Sequence, residues 1–181
     1  MKISSIYRRL AAIGILLIGG SLAFGETGTL KVKATTGRAG IFVDDKYVGP
    51  AANFGVTRGY AVEAGEHTIT VREPRYETAT THATVVAKKT VTVKVDLKAL
   101  PEPKGPFGRL RVQGAEKYAA VYVNGGYMGH ADEFDNFAQG LLLPAGSYSV
   151  KIVSVSGTPV AEQKVELKAN ETVIVRASGK A

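Results

Sequence analysis

Cysteine and tryptophan are both absent from the 181 residues, and histidine occurs only three times. Without cysteine there is no disulfide framework, no thiol nucleophile and no site for lipid attachment at a cysteine following an export signal. Without tryptophan the strongest aromatic platform for a sugar ring is missing. The histidines, His67, His82 and His130, are spread so that no two share a face beside a carboxylate, as a zinc site requires. No Gly-x-Ser-x-Gly elbow occurs, and serines sit in turn-like stretches such as Ser154-Val155-Ser156-Gly157. A catalytic imidazole needs a nucleophile and an orienting acid beside it, so no enzyme, no cofactor and no metal are expected.

Apolar runs of membrane-spanning length are also lacking. The longest, Leu10 to Phe24, falls short of the ~20 residues a helix needs to cross a bilayer and is interrupted by Gly14, Gly19 and Gly20. It follows a basic stretch holding Lys2, Arg8 and Arg9 and ends in Ala23-Phe24-Gly25, so residues 1–25 read as a secretory signal peptide. The expected setting is therefore the periplasm, the cell surface or the medium, with no membrane span in the mature form. Loss of Lys2, Arg8 and Arg9 lowers the formal net charge from +7 to +4. The remaining Lys and Arg residues are scattered along alternating strands without aromatic interleaving, which excludes nucleic acid as the expected partner.

Long 3.6-residue apolar patterns are missing too, and period two takes their place. Val91, Val93, Val95 and Leu97 alternate with Thr, Lys and Asp, and Leu30, Val32 and Ala34 alternate with Lys31 and Lys33. The mature chain reads as all-β. Leu100 to Phe107, with three prolines and a glycine, reads as a short semi-stiff linker (100–107) dividing the chain at 26–99 and 108–181. The two parts align in order. At an offset of 80, Ile41-Phe42-Val43 falls on Val121-Tyr122-Val123 and Tyr47-Val48-Gly49 on Tyr127-Met128-Gly129. The offset grows to 81 at Ala64-Gly65 on Ala145-Gly146 and to 82 at 83–94 on 165–176. This spacing indicates a tandem duplication of a domain.

Each copy carries a strand, a two-residue Asp44-Asp45 or Asn124-Gly125 turn, a strand ending in Gly49 or Gly129, and a later turn. That later turn is Glu63-Ala64-Gly65-Glu66-His67 in the first copy and Leu143-Pro144-Ala145-Gly146-Ser147-Tyr148 in the second. Asn-Gly is the strongest short hairpin signal, because both central positions need φ > 0, and Asp45 is expected to make a less ideal turn. Together these features resemble the PEGA domain, a small β-sandwich module of secreted and surface-associated bacterial and archaeal proteins. The resemblance implies two tandem sandwiches of immunoglobulin-like or prealbumin-like type, acting as a non-enzymatic binding or scaffold module. Protein–protein contact in the cell envelope or surface layer is the first expectation, and recognition of cell-wall glycan the alternative.

Candidate binding residues follow from comparing the copies. Tyr47 and Tyr127 recur just past each hairpin turn, where they either stack on a glycan or pack beside Val43 and Val123, the latter being favoured. Asp132, Glu133, Asp135 and Asn136 form the densest acidic cluster, conceivable as a calcium loop. The matching Ala51-Ala52-Asn53-Phe54-Gly55 keeps the aromatic and loses the acids, which favours a solvated loop with Phe134 tucked inward. Any function special to the second domain is expected at His130, Asp132, Glu133 and Asp135, which the first lacks. Gly125 to Gly129 cannot be a phosphate loop, since no helix follows to meet the anion.

Overall fold

The computed structural model describes residues 25–55 and 58–178; the signal-peptide reading of residues 1–25 lies almost wholly outside them. The chain is all-β, with fourteen strands among the described residues. In the first unit these are β1 (Thr27–Ala34), β2 (Gly40–Val43), β3 (Lys46–Pro50), β4 (Tyr60–Glu63), β5 (Gly65–Arg72), β6 (Ala79–Val85) and β7 (Thr90–Val95). In the second they are β8 (Phe107–Gln113), β9 (Ala120–Val123), β10 (Gly126–His130), β11 (Leu141–Pro144), β12 (Gly146–Val153), β13 (Pro159–Leu167) and β14 (Thr172–Arg176). No helix of the described residues is long and apolar enough to cross a membrane.

Each unit is a sandwich of one three-stranded and one four-stranded sheet. The first pairs β4-β1-β7 with β3-β2-β5-β6, and the second repeats the order as β11-β8-β14 with β10-β9-β12-β13. The first and last strands of each unit lie parallel, β1 on β7 and β8 on β14, and the remaining pairs are antiparallel. Period-two alternation does the sorting: Leu30, Val32, Ile41, Val43, Ile69 and Val71 turn inward to one core, and Leu110, Val112, Val121, Val123, Val150 and Ile152 to the other. Between the units, Leu100 N still donates to Arg75 O at 2.7 Å, and Phe107 already opens β8.

The hairpin turns come out alike despite their different residues. Asp44 and Asp45 take φ of 49° and 63°, and Asn124 and Gly125 take 49° and 79°. In each turn the first side chain secures the neighbouring strand. Asp44 Oδ1 accepts from Thr68 N at 2.9 Å, and Asn124 Oδ1 accepts from Ser149 N at 2.9 Å. Asp45, without glycine's freedom, bears the left-handed conformation as strain.

Gly28 and Gly108 open the equivalent strands β1 and β8, each passing under the turn between the last two strands of its unit. A Cβ at Gly28 would stand 2.5 Å from Val86 O and 2.6 Å from Val85 Cγ1, and one at Gly108 would meet Lys168 O and Leu167. Backbone cannot yield as a side chain can. Gly28→Ala and Gly108→Ala are each expected to cost about 1–3 kcal/mol, read as a lowered midpoint in urea unfolding.

Candidate functional site

On β2 the three apolar residues Ile41, Phe42 and Val43 are all buried, at 0%, 2% and 4% exposure. Ile41 and Val43 belong to the sandwich core, so Phe42 must point out of the other face, where an isolated sandwich would meet water. That face is covered by the second unit. Phe42 and Tyr47 form a separate cluster with Ala120 and Tyr127, and Tyr122 and Val155 lie against it. The ring of Tyr127 lies 5.6 Å from Phe42 edge-on, 5.5 Å from Tyr47 and 6.0 Å from Tyr122, centroid to centroid. These are the separations at which aromatic pairs attract. Tyr47 and Tyr127 hold equivalent places in the two units and touch each other, as residues do beside a two-fold axis in an isologous dimer.

Gly40 makes room for this contact. A Cβ there would stand 2.6 Å from Tyr127 Cζ, whereas the equivalent Ala120 keeps its methyl group and is fully buried in the same cluster. Burial pushes the phenol pKa values of Tyr47, Tyr122 and Tyr127 upward. The hydroxyls of Tyr47 and Tyr127 find no well-aligned hydrogen-bond partner among the described residues.

Tyr47 and Tyr127 pack inside the protein, as the favoured reading has it, but against partners across the seam. They are 6% and 5% exposed, so neither offers a free face to a sugar ring. Their packing partners are Phe42, Ala120 and each other, and Val43 and Val123 belong to the separate sandwich cores, so the two rings join the units. Sequence reasoning missed Phe42, Gly40 and Arg72 as members of this seam. The available signal was the unbroken apolar triplet in β2 and Val121-Tyr122-Val123 in β9, where alternation calls for a polar middle residue.

The acidic loop divides its residues between different tasks. Glu133, on the short 3-10 turn Ala131–Glu133, reaches across the seam to Arg38 of the first unit, whose Nε donates to Glu133 Oε2 at 2.6 Å. His130 is buried, with Nδ1 2.8 Å from Glu133 Oε1. Burial pushes the Glu133 carboxyl pKa up, but the close contact with His130 and the hydrogen bond from Arg38 outweigh it and hold the group below its ordinary value. Asp132 faces Lys117 at 3.8 Å, and Asp135 is exposed, its backbone carbonyl accepting from Arg111. The carboxylates thus diverge. Among the described residues no three His, Asp or Glu side chains converge on a point where a metal ion could sit. Phe134 is 3% exposed and fills the core of its unit, as Phe54 does in the first.

His67 carries the clearest electrostatic coupling outside the seam. Its Nδ1 lies 2.7 Å from Asp44 Oδ2 and its Nε2 2.8 Å from Glu63 O. Both partners only accept, so the doubly protonated ring satisfies both contacts, and its pKa is raised, first by the Asp44 hydrogen bond. In the second unit Tyr148 makes the matching bond to Pro144 O at 2.8 Å without any charge. A raised histidine pKa stabilises the fold fully below the unfolded value near 6.5 and ceases to do so as pH rises through the folded value. Unfolding midpoints are therefore expected to fall as pH rises above about 6.5, and Asp44→Asn should flatten that dependence. His82 meets only Thr68 Oγ1, at 3.4 Å, with no acid to orient it.

Comparison with known proteins agrees with this architecture in one respect. Residues 27–100, the first unit, match the PEGA domain. Among curated proteins none matches the chain. One solved structure, that of the Bacillus anthracis TIE protein, is similar at 15% identity and a TM-score of 0.34, over 84% of this chain and 34% of the other. The chain thus spans about a third of that protein, a likeness too distant to bear on function. PEGA domains are generally non-catalytic modules of extracytoplasmic proteins, and residues 27–100 of this chain make up one such domain.

Proposed function

We propose that this chain is an exported, non-enzymatic scaffold that makes protein–protein contacts in the cell envelope or surface layer. The observation that carries the reading is the seam. Phe42, Tyr47, Tyr122 and Tyr127, the aromatics best suited to grip a ligand, are spent on clamping two sandwiches face to face. A pair of small domains fixed in this way presents sheet edges, hairpin tips and one inter-unit cleft in a constant arrangement. Constant geometry favours recognition of another folded or extended chain, because less freedom is lost on binding. Glycan recognition through Tyr47 and Tyr127 loses its support, since both rings are covered.

The test is capture from an envelope extract with the mature chain as bait, cross-linked before washing. Recovery of one defined protein, lost when that protein is deleted from the extract, is the expected result. Sedimentation with purified cell-wall polysaccharide in place of a protein would overturn the reading.

A further inference from the structure

Where the two units meet, the loop after β5 and the tip of the β9–β10 hairpin face each other across a cleft of about 410 Å³. This lies within the range of roughly 300–1,000 Å³ that small-ligand sites occupy. Its walls include Arg72, Tyr76 and Thr78 from the first unit and Gly125, Gly126 and Tyr127 from the second. The guanidinium of Arg72 sits 4.4 Å above the centroid of the buried Phe42 ring. That contact fixes the cation while leaving its in-plane N–H donors unused.

The cation has no carboxylate of its own. Arg38 is paired with Glu133, and Arg75 with Glu73 through Nη2–Oε1 and Nε–Oε1 contacts of 2.9 and 3.1 Å. Glu73, which also lines the cleft and is only 6% exposed, is thus already neutralised, and Arg75 N donates to its other oxygen at 2.7 Å. No ion pair to Arg72 exists among the described residues. A half-buried guanidinium at the mouth of a cleft, held but unpaired, is matched to a carboxylate supplied from outside.

We propose that this cleft binds an acidic peptide segment of a partner protein, with Arg72 gripping one of its carboxylates. The inference rests on the protein-binding reading above and names the site that reading needs. Two observations favour a peptide over an acidic glycan. The flat faces of Phe42 and Tyr127 are taken by Arg72, Tyr47 and one another, so neither of these two rings offers a platform to a sugar ring. A second hollow, of about 370 Å³, shares Gly125 with the first and continues past Tyr122 and Ser149 to Lys151. An extended chain can follow that path over the low Gly125 rim, beside which a Cβ would meet nothing within 4 Å. Lys151 also lines this hollow, 3.4 Å from Glu162, as a second and weaker cation.

Fluorescence anisotropy with a labelled ten-residue polyglutamate peptide tests the site, with polyglutamine as the neutral control. The mature chain should bind the acidic peptide only. Arg72→Gln should weaken binding about tenfold or more, as loss of a desolvated arginine anchor does. Arg72→Lys, which keeps the charge but not the fork, should fall between, and Lys94→Gln on the far sheet should change nothing. Because Arg72→Gln also removes the stack on Phe42, the unaltered chain supplies an independent readout: the Arg72 Nε–Hε NMR signal should shift on adding the peptide. Absence of binding, equal loss in Lys94→Gln, a motionless Arg72 signal, or equal competition by a ten-unit oligogalacturonate would each overturn the proposal. The two readings separate in the extract: if Arg72→Gln still captures the same protein as the unaltered chain, the scaffold reading stands and the cleft does not.

Discussion

Tyr127→Ala is expected to lower the stability of the folded chain by about 3 kcal/mol and to let the two sandwiches part. The ring is 5% exposed and touches Phe42, Tyr47 and Tyr122, so its removal leaves a cavity at the centre of the only buried aromatic cluster between the described units. Two readouts follow. Chemical unfolding should move to a lower midpoint and lose cooperativity as the units cease to support one another, and small-angle scattering should report a larger radius of gyration. Tyr127→Phe should behave quite differently. Its hydroxyl is buried without a well-aligned partner, so deleting it is expected to be neutral or mildly stabilising. Tyr47→Ala should imitate Tyr127→Ala, and the double variant should cost less than the sum, because each ring is the other's neighbour. An unchanged midpoint and radius for Tyr127→Ala would show that the seam is not closed in solution.

This seam also marks the boundary of what the amino-acid sequence discloses. Turn chemistry was legible, since Asn124-Gly125 can do little except reverse a strand, and period-two spacing assigned Ile41, Val43, Val121 and Val123 to cores. Alternation tells which face a residue points to, but not whether another body covers that face. Phe42 and Tyr122 break the alternation on the outward side of their strands, but nothing local says what covers them. The role of Glu133 was hidden for a different reason. Its partner Arg38 is 95 residues away and in the other unit, and no local pattern links them. Comparing the repeats did isolate His130 and Glu133 as peculiar to the second unit. The structure gives that peculiarity a use: these residues lock the second unit to an arginine that only the first unit has. Tyr118 occupies the place in the second unit that Arg38 holds in the first, at the 80-residue offset, so the link runs one way and orients an otherwise near-symmetric pair. Asp132 and Asp135 take no part in it.

The glycines closing each hairpin carry a prediction that separates the two copies. Gly49 and Gly129 end the same Tyr-x-Gly triplet and share an unusual backbone, with φ of 128° and 136°. Any side chain at either place is strained, by roughly 1–3 kcal/mol. The space around them differs. A Cβ at Gly49 would lie 3.7 Å from the Phe54 ring, an ordinary contact, whereas one at Gly129 would lie 2.9 Å from Phe134 Cζ and 3.2 Å from Cε2. Phe134 cannot step aside, being a 3% exposed plug held among Val112, Val121 and Ile152 in the core. Gly129→Ala therefore adds overpacking, about 1–3 kcal/mol, to the backbone strain that Gly49→Ala incurs alone. The expected order in urea unfolding is wild type, then Gly49→Ala, then Gly129→Ala. Phe134→Leu placed on top of Gly129→Ala should recover part of the loss by freeing the ring's volume. Equal penalties at the two glycines, or no recovery in the double variant, would mean that backbone conformation alone fixes these positions and that the phenylalanine does not bear on the hairpin.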